Sequence, residues 1–505
     1  MADLKHWKKD NIKFWNEISE FYIAHDINAW QNKVPFHVTN NPLIAQRLAK
    51  SVSHYLLDCK NQGYTGTFTI IEAGAGLGKF AFFFLEHLIK QINLLQLSPS
   101  CISYIICDRS DKTISFWKRH PQLKPHIHSG ILSCCQLYIN GDQNISFSGD
   151  ITQLKSSRVI FLANYFFDSL YQSPFCLEDD KYVPCKISKS KSLFSKNTTL
   201  QFLPLLSEKP PYSTCTVYND ILEQHRLLFS ASHVLMPDGP IKLIDWINDH
   251  TDNPVLFVIT DKGFTCPKSE FYCRNFNIIQ TGAYASSVNF YALHQYMQIA
   301  LNGSGILFPG SESSFGTCFL LSKDQLTNYP SLTLEAHNTA QYSSSLSSSY
   351  CQKLLNRHSQ YDALWDLFGS FSILNYDLTT LVFLYDSLND LIANTEDLSE
   401  YPIEKTLNRF KENFFFTPNE ESEQELICLI QFSLITKQFE FCQSILDIYP
   451  DFYGENYLFY YHYANFYFMQ SDYASASDLF TAALSDNPEC EHSKKYLQHC
   501  HSLLQ

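Results

Sequence analysis

One short segment limits what this chain can fold into more than any other: Glu72-Ala73-Gly74-Ala75-Gly76-Leu77-Gly78. It follows Thr67-Phe68-Thr69-Ile70-Ile71, a β-branched and aromatic run of the kind that forms a buried strand. It opens Lys79 to Leu95, a long apolar run with helical spacing. Glycines at alternate positions between strand and helix permit a tight turn and let a ligand approach the backbone. The phosphate-binding spellings are absent. Gly78-Lys79 is followed by Phe80, not by Ser or Thr, and the spacing is GxGxG, not GxGxxG.

The rest of the N-terminal two thirds has the same grammar. Ser103–Cys107, Arg158–Ala163 and Val255–Ile259 read as further strands, and Thr113 to Arg119 as a helix. Strands alternating with helices predict a Rossmann-like, doubly wound α/β sheet. Residues 11–60 read as helical, with Asn41 as N-cap and Pro42 in the first turn of one helix. Residues 176–204 read as a hairpin insertion bearing Lys186, Lys189, Lys191 and Lys196, either a solvated face or a contact for an acidic partner. The expected division is a helical lid segment over 1–60, a catalytic domain over 61–335, a Ser-rich linker over 336–352 and a helical domain over 353–505. The linker rests on Tyr342-Ser-Ser-Ser-Leu-Ser-Ser-Ser-Tyr350.

Behind the linker, Tyr460, Tyr467, Tyr473, Ala476, Phe480, Ala483 and Pro488 fall at the spacing of a tetratricopeptide helix pair. Small Ala476 and Ala483 let two helices approach, and Pro488 ends the second. Shifting back by 34 residues places Phe439, Cys442 and Leu446 in the corresponding positions of a more degenerate copy.

The acid before the glycines narrows the ligand. A carboxylate at Glu72 would repel a pyrophosphate but suits a cationic amino-acid moiety, and S-adenosylmethionine carries an ammonium and a sulfonium. Asp108 ends the second strand, where a carboxylate can accept ribose hydroxyls. Asp150-Ile151 offers a carboxylate for an adenine amino group, with a turn aspartate as the plainer reading.

Glu72-x-Gly74-x-Gly76-x-Gly78 resembles motif I of class I S-adenosylmethionine-dependent methyltransferases. Asn164-Tyr165-Phe166-Phe167-Asp168-Ser169-Leu170 resembles the Asn-Glu-x-x-Asp-Ala-Leu-Pro segment of the MidA family, whose mitochondrial members are protein arginine methyltransferases assisting complex I assembly. Thr39 with Pro42, Ser287-Val288-Asn289-Phe290 and Phe319-Leu320 are further echoes, and the likeness spans roughly 35–325. The chain departs from that pattern at Tyr165, where the family has a carboxylate able to pair with a guanidinium. It departs again at Asp261-Lys262-Gly263, in place of Asp-Tyr-Gly, and at Tyr171, in place of proline. The resemblance implies S-adenosylmethionine held by Glu72, Gly74, Gly76, Gly78, Asp108 and Asp150. Asn164 and Asp168 would then be the catalytic pair, orienting and deprotonating a nitrogen nucleophile. Tyr22, Trp30 and His37 are candidates for a lid over the cofactor.

Composition sets outer limits. With 37 Lys+Arg against 51 Asp+Glu the net charge is −14, which disfavours nucleic acid and anionic membranes as partners. There is no run of 18 apolar residues, so no membrane span is expected. The 16 Cys include no CxxC pair, so a zinc site is not expected and buried reduced thiols in the cytoplasm are, with action inside a host cell left open. The expected function is methylation of a protein side-chain nitrogen, with the helical tail recruiting the substrate protein. The alternatives are a small-molecule methyltransferase with a dimerising tail and a non-catalytic assembly factor that retains the cofactor fold.

Overall fold

A computed structural model describes residues 4–25, 40–139, 144–191, 198–205, 212, 216–229, 232–265, 276, 278–281, 283–308, 315–341 and 364–505. The chain divides into two compact units, Met1–Ser348 and Ser349–Gln505.

The first unit is built on a sheet whose central strands are β1 (Phe68–Ala73), β2 (Ile102–Asp108), β3 (Leu132–Ile139), β5 (Arg158–Asn164) and β10 (Val255–Phe264). These five pair in parallel in the order β3-β2-β1-β5-β10. All six residues of β1 are buried, as expected of a parallel strand covered on both faces. Antiparallel β4 (Ile145–Phe147) closes one edge, and antiparallel β15 (Phe315–Leu321) and β14 (Ser304–Ile306) close the other. The strand order reverses between β1 and β5. Right-handed crossovers therefore lead to opposite faces and leave a crevice at the C-terminal ends of these two strands. This is the Rossmann-like, doubly wound α/β fold expected from the alternating pattern.

A second sheet, in the order β8-β7-β6-β9, joins β6 (Ser173–Glu178), β7 (Lys181–Lys191), β8 (Thr198–Pro204) and β9 (His233–Met236). The predicted hairpin is thus three of four strands, the fourth arriving from outside the segment. The helix α1 (Leu4–His25) is docked on β7. The Asn11 side chain donates to the Cys185 carbonyl at 2.9 Å and accepts from the Ile187 amide at 2.8 Å. Lys189 pairs with Glu17 and lies over the rings of Phe14 and Tyr284. At least this lysine of the hairpin serves the chain's own helix; Lys196 lies outside the described residues.

The helix α2 (Pro42–Asn61) has the expected cap, the Asn41 side chain accepting from the Ile44 amide at 3.0 Å. Helix Pro330–Gln341 packs on it: Ser51 meets Thr339 at 3.0 Å, and Asp58 accepts from the Leu332 amide at 2.8 Å. This corrects the linker boundary. Residues 336–341 are helical, with Ala336 and Ala340 buried, and their small side chains disguise the apolar face in the sequence. The Ser-rich run 342–350 lies outside the described residues.

The second unit is helical throughout its described part. Helices Tyr457–Met469, Tyr473–Asp486 and Glu491–Leu504 pack through Ala464, Ala476, Phe480 and Cys500. At the earlier copy, Cys442 and Leu446 are buried but their helix, Phe439–Leu446, has only eight residues. A separate short helix, Tyr449–Tyr453, begins around Pro450. Among the described residues no helix is long and apolar enough to cross a membrane.

Candidate functional site

The glycine turn is where the sequence placed it. Gly74, Gly76 and Gly78 have φ of 69°, 55° and 79°, the left-handed region that side chains resist. The turn is pinned by backbone bonds from Ala75 N–H to the Cys107 carbonyl (3.0 Å) and from Gly78 N–H to the Ala75 carbonyl (2.8 Å). The helix α3 (Lys79–Leu94) starts directly after it. The indole N–H of Trp117, on α4 (Asp111–Arg119), donates to the Gly76 carbonyl at 3.0 Å.

A cleft opens against this turn at the C-terminal ends of the parallel strands. Gly74 lines it from β1, Asp108 and Arg109 from β2, and Leu137 from β3. Tyr165, Phe166 and Ser169 line it from the segment after β5, and Tyr22 lines it from α1. Of the three candidate lid residues Tyr22 reaches the cleft; Trp30 and His37 lie outside the described residues.

The cleft's electrostatics come from two neighbours in sequence. Burial raises the Asp108 carboxyl, while Arg109 and backbone amides, including that of Gly76, pull it back down. Its Oδ1 accepts from the Ser110 amide at 3.1 Å. The Arg109 guanidinium sits 5.4 Å from the centre of the Tyr22 ring, a cation–π arrangement, and its buried Nη1 has no hydrogen-bond partner among the described residues. Burial and the Asp168 charge raise the Tyr22 phenol, so its hydroxyl stays neutral.

Glu72 stands beneath the turn and does not line the cleft. It is buried at 2% exposure and accepts a hydrogen bond from the Tyr104 hydroxyl. Burial pushes its carboxyl up to about 7, against the lowering effect of Tyr104. Its folded-state value lies above that of an unfolded glutamate, so the folded state holds the proton more tightly. The contribution to stability is full below about pH 4.5 and is lost as pH rises towards 7. Glu72→Gln should therefore gain on the wild type between pH 4.5 and 7. Urea midpoints measured at both ends check this; parallel curves would assign the titration to another group.

Asp150 is exposed at the start of helix Ile151–Ser156, where its Oδ1 accepts from the Thr152 amide and hydroxyl at 2.9 and 2.6 Å. These bonds hold its carboxyl below the usual range. It is a helix cap and is not among the residues lining the cleft. Asn164 ends β5 opposite Thr260, and Asp168 sits in the single turn Phe167–Ser169 at 4% exposure. Neither lines the cleft. They flank Tyr165 and Phe166, which do.

What shapes that wall is Asp261 of β10, a residue seen in the sequence only as part of a departure from the family pattern. Its Oδ2 accepts from the amides of Phe166, Phe167 and Asp168 at 3.1, 2.8 and 3.1 Å, and its Oδ1 from Lys262 at 2.7 Å. Burial and the neighbouring Asp168 push its carboxyl upward, and the amides oppose this. The chain enters the wall through Tyr165, which takes a left-handed φ of 56°. The Tyr165 ring lies 5.1 Å from that of Phe315.

Sequence reasoning thus missed Arg109, Tyr165, Phe166, Ser169 and Asp261 as site-forming residues. Arg109 was signalled only by standing next to Asp108, and Tyr165 only as a mismatch.

Strand order and cleft together define a Rossmann-like protein with a crevice at its topological switch point. No family model and no curated protein matches the chain. Two solved structures from Burkholderia thailandensis resemble it, one of an uncharacterized protein and one of a likely methyl transferase from the same superfamily bound to S-adenosyl-homocysteine. Each is 12% identical, with 57% of this chain and 76% of the other covered and a TM-score of 0.33.

Proposed function

We propose that the protein is an S-adenosylmethionine-dependent methyltransferase acting on a side-chain nitrogen of another protein, which the tetratricopeptide-like helical unit recruits. The observation that carries this reading is the meeting of the Gly74 turn, the Asp108 carboxylate and the Tyr165–Phe166 wall in one cleft at the reversal of the sheet. The residues present suit the cofactor. Gly74 leaves backbone open to a ligand, Asp108 offers an acceptor for ribose hydroxyls, and Arg109 Nη1 offers a donor with no partner among the described residues. Repeat-like helices supply surfaces of the kind that bind peptides and partner proteins.

The bound cofactor would supply an electrophilic methyl group on its sulfonium. The chain's own part is to hold reactants in line and to exclude water. Tyr22 and Tyr165, with hydroxyls kept neutral by burial, wall the cleft together with Phe166. Asn164 and Asp168 act in this reading by positioning that wall at its two ends.

Radiolabelled S-adenosylmethionine incubated with the protein and cell lysate tests the proposal. Label in the protein fraction is the expected result. Label confined to small molecules would reject the protein acceptor, and absence of cofactor binding by calorimetry would reject the enzyme itself.

Asp108→Ala should weaken cofactor binding by about 1–3 kcal/mol, the cost of leaving polar partners unmet. A 2′,3′-dideoxy cofactor analogue should then lose little further affinity. If the analogue costs the variant as much as it costs the wild type, Asp108 does not hold the ribose.

A further inference from the structure

Away from the cleft, two cysteines meet in the second sheet. Cys176 of β6 stands opposite Val183 of β7, so Cys185 is its diagonal neighbour on the same face. Their sulfurs are 2.6 Å apart, inside van der Waals contact, though both are free thiols. On its other side Cys176 stands opposite His233 of β9. Leu235 and Phe276 pack around the pair, with Cys185 fully buried and Cys176 6% exposed.

Other buried thiols among the described residues behave differently. Burial pushes those of Cys59, Cys107, Cys318, Cys428 and Cys442 up, as for inert core cysteines. Cys176 goes the other way, pulled down to about 6 by its hydrogen bond with Cys185 and by His233, while Cys185 is driven upward by Cys176. Of the two thiols, Cys176 is thus the more acidic.

We propose that Cys176 and Cys185 form a reversible dithiol–disulfide pair, oxidised by a small peroxide, independently of any methyl transfer at the cleft. The Cys176 thiolate attacks one oxygen of hydrogen peroxide, the O–O bond breaks, and hydroxide leaves. Cys176 is now a sulfenic acid. The Cys185 sulfur attacks Cys176 Sγ, the S–O bond breaks, and the leaving hydroxide takes the Cys185 proton as water. Two electrons have passed from the thiols to the peroxide. A small uncharged oxidant suits a sulfur that is 6% exposed. The bond would join β6 to β7 at the residue whose carbonyl receives Asn11 of α1.

The test is peptide mapping of the full chain after peroxide, with free thiols alkylated. A linked pair of peptides containing Cys176 and Cys185, 2 Da lighter than the reduced pair and restored by dithiothreitol, is the expected result. Cys185→Ser should stop at a Cys176 sulfenic acid that dimedone traps, and Cys176→Ser should leave Cys185 reduced. Full alkylation of both cysteines after peroxide, or a bridge from Cys176 to any other cysteine, would overturn the proposal. The wild-type map decides the matter even if a variant fails to fold.

Discussion

Asp261→Ala should cost the first unit about 3–5 kcal/mol of stability. Its carboxylate is the common acceptor of three consecutive amides, Phe166 to Asp168, at a site with no solvent exposure. Each buried donor left without a partner costs about 1–3 kcal/mol, and relaxation recovers part of the sum. Asp261→Asn keeps one carbonyl oxygen and should lie between the variant and the wild type. Urea unfolding monitored by circular dichroism measures the difference. A loss below about 1 kcal/mol would show that the segment finds other acceptors. Because the same segment presents Tyr165, Phe166 and Ser169 to the cleft, ligand affinity should fall with stability.

The second large effect concerns the turn. Gly74→Val should abolish S-adenosylmethionine binding, a loss of at least about 100-fold on the proposed reading. Gly74 has φ of 69°, and a Cβ built there would lie 2.7 Å from Cδ2 of Phe166, so both backbone and cleft wall must move. Gly63→Ala is the matched control. Its φ is 86°, but nothing lies within 4 Å of the added carbon. It should cost only the left-handed strain, about 1–2 kcal/mol, and leave binding unchanged. Calorimetry on folded samples decides; wild-type affinity in Gly74→Val would remove the turn from the ligand site.

The strands were legible because a parallel strand covered on both faces is a bare apolar run, and β1, β2, β5 and β10 are such runs. Their far ends were not. β10 continues through Asp261 and Lys262 because β15 pairs alongside, and two charged residues announce no strand without that partner. Gly263 in the same stretch is fixed by packing invisible in sequence: a Cβ there would come 2.3 Å from the Val288 carbonyl oxygen. In the site, Gly74 and Asp108 could be read because strand, turn and acid are local patterns. Glu72 was legible as an acid but not as one occupied by Tyr104, a partner 32 residues away. Arg109, Tyr22 and Tyr165 converge from three separate elements, and only the fold brings them together.

The docking of α1 ties ligand exchange to a distant part of the molecule. Asn11 fastens the helix to β7, while Tyr22 on the same helix lines the cleft. At 1.5 Å per residue these two points are about 16 Å apart on one stiff rod. A tilt of this rod about its anchor would carry Tyr22 away from the other cleft residues. On the proposed reading, the residence time of the cofactor would then depend partly on how firmly a small antiparallel sheet grips α1 through Asn11, Phe14 and Glu17.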